Sequence, residues 1–367
     1  LFRSLTSTIL DQVGVRKGVN LTDVMCGSGT TLIEGGLRGA NTWGIDCNPA
    51  SVLISKVKTT ALPTDAWMPV LEEFRTLFSD VMFAGHRADG TNGNLCFQFS
   101  DEPIRKPRLE LPEIPNFGHW FDDDIAQDLA QVSAWVGHMR EGPVRDLAQV
   151  AFLACVRPCS RASVRIGRLF RDADKIAPNP YAEFAKRFEK CGLAASALNA
   201  DERWHNSRVA VSVGDAKATG LTGPFDVVFC HPPYFGLYKY SSDVLRFELA
   251  WLGADRKAIT KLEICDGFKT TDETLVKQHV ADMKLVASEA ARLTSKGARF
   301  VVVTADSTLR KERLAILDPL IDDAENVGWK LRRRITRAVR YAQASYHRSA
   351  DAEIKRPDDQ ILMFERL

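Results

Sequence analysis

One stretch near the start constrains the fold more than any other. Leu21 to Met25 is short and apolar enough for a central strand. Gly27-Ser28-Gly29 then turns the chain, since glycine tolerates positive φ and carries no Cβ. Thr30 or Thr31 can cap the helix that follows, whose apolar face includes Leu32, Ile33 and Leu37, and Gly39 is a plausible stop. A second strand, Thr42 to Ile45, ends in Asp46 and is followed by Asn48-Pro49. Strand, turn, helix and strand within so few residues predict an α/β chain with a mostly parallel sheet.

The chemistry open to such a turn is limited. Free N–H groups at a helix start suit an anionic group such as a ligand carboxylate. An acid at the tip of the second strand commonly accepts from ribose hydroxyls. A dinucleotide site is disfavoured, because position 32 is Leu where a longer Gly-x-Gly-x-x-Gly would continue, and there is no Walker lysine. Val209 to Asp215 alternates apolar and small residues and ends in Gly214-Asp215, either a further ligand contact or an exposed turn.

Phe225 to Cys230 is a buried-strand pattern, and His231-Pro232-Pro233-Tyr234 closes it. Ligands of open α/β sheets bind beyond the carboxyl ends of strands, so the tetrapeptide is expected on the same rim as Gly27 to Gly29 and Asp46. The prolines fix φ and stiffen the turn.

Taken in this order, Asp23-Val-Met-Cys-Gly-Ser-Gly-Thr-Thr31 and His231-Pro-Pro-Tyr234 resemble the S-adenosylmethionine (SAM)-dependent DNA amino-methyltransferases, which methylate cytosine N4 or adenine N6. Those enzymes carry Asp-Pro-Phe-Cys-Gly-Ser-Gly-Thr-Thr and an Asp-, Asn- or Ser-Pro-Pro-Tyr. The resemblance covers about residues 20 to 60 and 205 to 367. It implies a Rossmann-like class I SAM methyltransferase fold, mostly parallel with an antiparallel last strand. It implies cofactor-binding roles for Asp23, Cys26, Gly27, Ser28, Gly29, Thr30, Thr31, Asp46, Asn48 and Asp215, and catalytic roles for His231, Pro232, Pro233 and Tyr234. In such a site the first residue and the next backbone carbonyl accept the amine hydrogens, and the aromatic ring stacks on the flipped base. This chain departs from the family in carrying His231 at the first position. A neutral imidazole nitrogen can accept, and protonation, near pH 6.5 for an unperturbed ring, removes that ability. The non-acidic first residue leans weakly to cytosine N4. Tyr238, Tyr240, Leu245, Phe247, Glu248, Trp251 and Leu252 resemble the run that follows the tetrapeptide in bacterial enzymes of this kind.

Composition sets few further limits. Hydrophobic residues at 45% and charged residues at 26% are ordinary globular values, and a formal net charge of +2 neither demands nor excludes nucleic acid. Local clustering says more: Lys330, Arg332, Arg333, Arg334, Arg337 and Arg340 crowd one stretch, with Arg348 near it. Arg332, Arg333, Arg334 and Arg337, together with Lys239, are expected to contact phosphates, against the alternative of a solvated strand edge. DNA is the expected partner, with partner subunits of a restriction-modification or defence system as a further possibility. The competing readings are an RNA or ribosomal-protein methyltransferase and a degenerate DNA-binding subunit.

Eight cysteines include no Cys-x-x-Cys pair, so a metal site is not expected and reduced thiols in a cytoplasmic protein fit best. Cys26 and Cys230 read as small packing residues. No signal peptide or 18-residue apolar run is present, so no membrane partner is expected.

Residues 1–62 and 205–367 are expected to form the catalytic core. Residues 63–204 read as a mostly helical insertion, a candidate target-recognition region. In it Ile125, Leu129, Val132, Val136 and Met139 mark one helix, Val144, Leu147, Ala151 and Ala154 a second, and Tyr181, Phe184 and Phe188 one face of a third. A short hairpin is expected around Leu95 to Phe99. After the tetrapeptide a helix is expected over Leu275 to Leu293, a strand over Ala298 to Thr304, and an antiparallel pair from Trp329 to Ile335 and Gln360 to Phe364.

Overall fold

The computed structural model describes residues 2–83, 109–165, 169–235, 240–264, 273–309, 312–338 and 358–367. They divide into two compact units. The first comprises Leu1–Thr59, Asp201–Leu249 and Asp255–Leu367; the second comprises Thr60–Ala200 and Ala250–Ala254.

Among the described residues the first unit has nine strands, seven of them in one sheet. In chain order the strands are β1 (Asn20–Asp23), β2 (Asn41–Asp46), β3 (Val209–Val213), β4 (Phe225–Cys230), β5 (Thr294–Thr304), the small separate pair β6 (Ser307–Leu309) and β7 (Glu312–Leu314), β8 (Trp329–Arg337) and β9 (Asp359–Arg366). The main sheet has the order β3-β2-β1-β4-β5-β9-β8. Its first five strands are parallel, with Leu21 beside Thr42 on one side and Val227 on the other. β9 runs antiparallel to both β5 and β8. Such a sheet, with its antiparallel last strand wedged one place in from the edge, is the class I SAM methyltransferase fold.

Two apolar layers sandwich the sheet. On one face Val228, Phe300, Val302, Leu362 and Phe364 pack against Met283, Val286 and Ala290 of the helix Glu273–Arg292 and Leu317 and Leu320 of the helix Leu317–Asn326. On the other, Val227, Phe229, Val301 and Ile361 pack with Ile9 and Leu10 of α1 (Phe2–Gln12). Strands buried on both faces read as continuous apolar runs, which is why β4 and β5 were visible in sequence.

α2 (Thr30–Gly36) is short and α3 (Pro49–Lys58) longer. The expected threonine cap is corrected here: Gly29, at φ 74°, is the N-cap of α2, and no side chain caps the helix. A left-handed residue at this point excludes a threonine for the reason it favours glycine. A side chain at Gly29 would also lie 2.9 Å from Ser55 Oγ. Asn48 is the side-chain cap of the pair, accepting from Ala50 N and Ser51 N at the start of α3.

The second unit is helical: α4 (Thr64–Leu77), α5 (Ser79–Phe83), α6 (Phe117–Trp120), α7 (Asp123–His138), α8 (Pro143–Cys159) and α9 (Pro180–Asn199). Tyr181, Phe184 and Phe188 of α9 are all buried, and Phe184 packs on Phe74 at 4.6 Å between ring centroids. Trp67 lies so close to α9 that a Cβ on Gly192 would stand 2.3 Å from its ring. Trp251 packs edge-on against Phe152 within this unit. The hairpin expected around Leu95 to Phe99 lies outside the described residues.

Candidate active site

The carboxyl ends of β1, β2 and β4 open onto a cavity of about 460 Å³. Asp23, Cys26, Gly27, Ser28, Thr30, Thr31, Asp46 and Asn48 line it, as do His231 and Pro233. The glycine turn and the tetrapeptide therefore share one cavity. They do so because β4 lies directly beside β1, in register with it.

Asp46 orders this rim. Its Oδ2 accepts from Gly27 N at 2.8 Å and its Oδ1 from Asn48 N at 2.9 Å. The acid closing β2 thus holds the turn after β1 and the start of α3 together. A carboxylate offers about four lone-pair sites, so capacity remains for a diol. Behind the turn, Ser55 Oγ donates to Gly27 O at 2.7 Å. Gly44 lets β2 pass so close that a Cβ there would meet Leu32 at 2.6 Å and Cys26 Sγ at 3.0 Å.

Two polar groups bear on what the cavity holds. Asn48 is buried, spends its Oδ1 on the α3 cap, and has no partner for Nδ2. An unmet donor in a cavity wall fits a ligand that brings an acceptor. Asp23 is 2% exposed and accepts from Met25 N at 3.0 Å. Burial, reinforced by the neighbouring Asp46 charge, pushes its carboxyl up to about 7. A buried acid so placed fits a ligand that brings a cation. SAM, with its hydroxyls, ring nitrogens and ammonium group, supplies both.

The remaining expected residues are placed as follows. Gly29 shapes the turn without lining the cavity. Asp215 does not line it either: its Oδ1 accepts from Lys217 N at 2.9 Å and pairs with Lys217 Nζ at 3.3 Å, while the next residue, Ala216, reaches the wall. Pro232 and Tyr234 are not among the residues that line the cavity. His231 Nε2 lies 3.3 Å from Tyr234 Oη, which donates to Asp359 Oδ1 at 3.0 Å. Burial, with a contribution from the Arg337 charge, pushes the His231 imidazole down to about 4. That shift favours a neutral ring at neutral pH, and moves the loss expected on protonation below the 6.5 of an unperturbed ring.

The described residues of the basic stretch have partners within the protein. Arg337 pairs with Asp359 at 3.0 Å, Arg332 with Glu365 at 3.4 Å and Lys330 with Glu325 at 3.1 Å. Arg334 donates to Gln360 at 2.9 Å and Arg333 to Gln12 at 3.2 Å. These partners are acids and amides on β9, α1 and the preceding helix. Lys239, Arg340 and Arg348 lie outside the described residues.

Sequence reasoning missed one wall. Tyr240, Val244 and Leu245 belong to a π-helical turn over Tyr240–Val244, closed by Leu245 N donating to Tyr240 O at 2.8 Å. Leu262, Glu263 and Ile264 line the same cavity. Glu263 accepts from both N and Oγ of the buried Ser241, pinning the turn. A π turn has no sequence period of its own, so no pattern announced it. Cys26 and Cys230 are buried, with thiols raised by burial, as packing residues would be. No group of metal ligands occurs among the described residues, and no described helix is long and apolar enough to cross a membrane.

Sheet order, glycine turn and strand-two acid are those of the class I SAM methyltransferase fold, with S-adenosyl-L-methionine as the cofactor. Residues 1–65 match the family model described as UPF0020: RMKL-like, methyltransferase domain. The chain is 25% identical over 171 residues to the Type II methyltransferase M.MvaI of Kocuria varians, a match covering 46% of this chain and 34% of that one. It thus spans about a third of the length of that curated relative. Similar solved structures include TrmN from Thermus thermophilus (10% identity, 100% of this chain and 49% of that one, TM-score 0.36). Another is the rRNA methyltransferase aviRa from Streptomyces viridochromogenes (11% identity, 99% and 84%, TM-score 0.35).

Proposed function

We propose that this chain methylates an exocyclic amine of a base in DNA, cytosine N4 or adenine N6, with a lean to N4. The observation that carries the reading is that His231 and Pro233 line the same cavity as Asp23, Gly27 and Asp46. The partial identity to a Type II methyltransferase supports it.

SAM, when bound, supplies a methyl group on a positively charged sulfur. Asp46 would hold the ribose hydroxyls, Asn48 Nδ2 an acceptor, and Asp23 the ammonium group. The target amine is a poor nucleophile because its lone pair is delocalised into the ring. Neutral His231 and the Pro232 carbonyl would accept its two hydrogens and draw the nitrogen toward a tetrahedral shape. So held, the nitrogen lone pair would be presented to the methyl group that SAM supplies. The surplus proton leaves nitrogen for solvent, since a ring with so low a pKa is a weak base. Positioning does most of the catalysis. The helical unit and the Arg333 region are proposed as target-recognition surfaces.

Transfer of tritium from labelled SAM tests the reading. Label in duplex DNA, followed by detection of N4- or N6-methyl bases, is the expected result. Label in tRNA or ribosomes with none in DNA would replace DNA by RNA as the substrate. A protein that binds SAM and DNA without transferring label would be a non-catalytic subunit.

A further inference from the structure

Positive charge is concentrated where α8 leads into α9. From Arg157 to Lys175 five arginines and one lysine stand against two aspartates, a net charge of +4, whereas the whole chain carries +2. The backbone here is paired. Ser163 N donates to Phe170 O at 2.7 Å and Asp172 N to Arg161 O at 2.8 Å, on either side of an antiparallel bridge between Ala162 and Arg171. Two short arms, 161–165 and 169–172, therefore form a ribbon. Its base is pinned by Arg161 N, which donates to Trp120 O at 2.7 Å, and by Ser160 Oγ, which donates to Arg157 O at 2.8 Å.

The cations of this segment fall into two groups. Arg157 Nε donates to Ser163 O at 3.1 Å, Arg161 pairs with Asp122, and Lys175 Nζ donates to Arg157 O at 2.9 Å and Ala162 O at 2.6 Å. These three hold the ribbon together. Arg165 and Arg171 are exposed and enter no ion pair among the described residues. Apolar side chains stand out beside them: Val164 is 60% exposed, Phe170 39%, and Ile176, just beyond the arms, 88%. Groups so exposed add little to the core, so their place on a pinned ribbon points outward, to a partner. On β8, by contrast, Arg332 and Arg334 have acceptors on the neighbouring strand.

The partner that fits is a polyanion with a groove. Guanidinium groups match phosphate oxygens bidentately. The major groove of a DNA duplex admits a two-stranded ribbon, and apolar side chains there meet thymine methyls. A lipid surface asks for a broad apolar face, whereas these apolar residues stand singly among charges.

We propose that this ribbon is the part of the helical unit that docks duplex DNA, with Arg165 and Arg171 on phosphates and Val164 against the groove. The choice of DNA rests on the function proposed above; the ribbon and its outward charges do not.

The experiment is fluorescence anisotropy of a labelled, mixed-sequence DNA duplex with the full chain across a salt series, run beside the tritium transfer described above. Arg165→Gln/Arg171→Gln should lower the salt slope by about 1.8, at about 0.9 for each lost contact. Val164→Asp should weaken binding at least about fivefold, since it sets a carboxylate against phosphates. Both variants should keep wild-type SAM affinity and Tm, because the altered side chains are exposed. An unchanged slope in the double variant would overturn the proposal even if DNA is methylated. The expected loss of slope without methyl transfer to DNA would uphold the ribbon as a docking surface and refute the functional reading instead. Wild type that binds tRNA or phosphatidylglycerol vesicles but not the duplex would overturn the assignment of the ribbon to DNA.

Discussion

Gly27 N donates to Asp46 Oδ2 at 2.8 Å, tying the first turn of the sheet to the acid that ends its second strand. Asp46→Ala removes both the proposed ribose acceptor and this tie. Loss of charge-assisted, desolvated hydrogen bonds should weaken SAM binding by roughly 1.5–3 kcal/mol. Asp46→Asn should lose less, because one acceptor persists. Calorimetric titration with SAM and its demethylated product checks both, and wild-type binding of neither compound would refute the cofactor site.

Asp23 should make the stability of the ligand-free protein depend on pH. Its carboxyl titrates at about 7 in the fold against 3.8 unfolded, so between those values the native state holds the extra proton. Stability should therefore decline as pH rises through this window. Asp23→Asn should flatten the decline and raise Tm at pH 8 relative to wild type, while weakening SAM binding. Melting curves from pH 5 to 8 without ligand decide it; parallel curves for the two proteins would remove Asp23 as the cause.

His231 should behave oppositely. Its pKa is about 4 in the fold against 6.5 unfolded, so the unfolded state takes the proton first and stability falls as pH drops below about 6.5. The buried His279, also lowered to about 4, adds to the same fall. The turnover of protein that is still folded should hold until pH approaches 4. A kcat profile corrected for folded fraction tests this, and an acid limb at 6.5 would contradict the lowered pKa of this ring. His231→Ala should lose turnover and keep SAM affinity.

Two arginines on β8 should separate. Arg333 donates to the neutral Gln12, whereas Arg337 is paired with buried Asp359. Arg333→Gln should lower the salt dependence of DNA binding by about 0.9 in slope if it meets a phosphate. Arg337→Gln should leave the slope alone and lower turnover. Filter binding across a salt series reads the first; an unchanged slope in Arg333→Gln would take this strand edge out of the interface.

Gly44→Ala tests the close pass behind the glycine turn. The added methyl meets Leu32 and Cys26 Sγ, so a stability loss of about 1–3 kcal/mol is expected in urea unfolding.

The legible parts of this chain were those with a local cause. β4 showed as a run of buried residues, and Gly27 and Gly29 as positions needing φ of 51° and 74°. The antiparallel pair was readable from two apolar runs near the end. Partnership was not readable. Nothing in the letters at 332–337 tells that Glu365, Gln360 and Asp359 lie across the ladder, because that depends on register. Nor does sequence tell that the Tyr234 hydroxyl meets Asp359, which lies 125 positions away. The shortness of α2 and its glycine cap were hidden by threonines that suit a cap in isolation.

The second unit is also not a single excursion of the chain. It takes in Ala250–Ala254, and the helix Arg246–Trp251 runs across the boundary at Leu249/Ala250. A cassette cut at Thr60 and Ala200 would leave behind Trp251, the edge-on neighbour of Phe152. Exchange of this unit between related chains thus has to transplant two pieces at once, one of them carrying only the last residues of a helix, Ala250 and Trp251. That ties changes in the helical unit to changes in the segment shortly after His231-Pro-Pro-Tyr234.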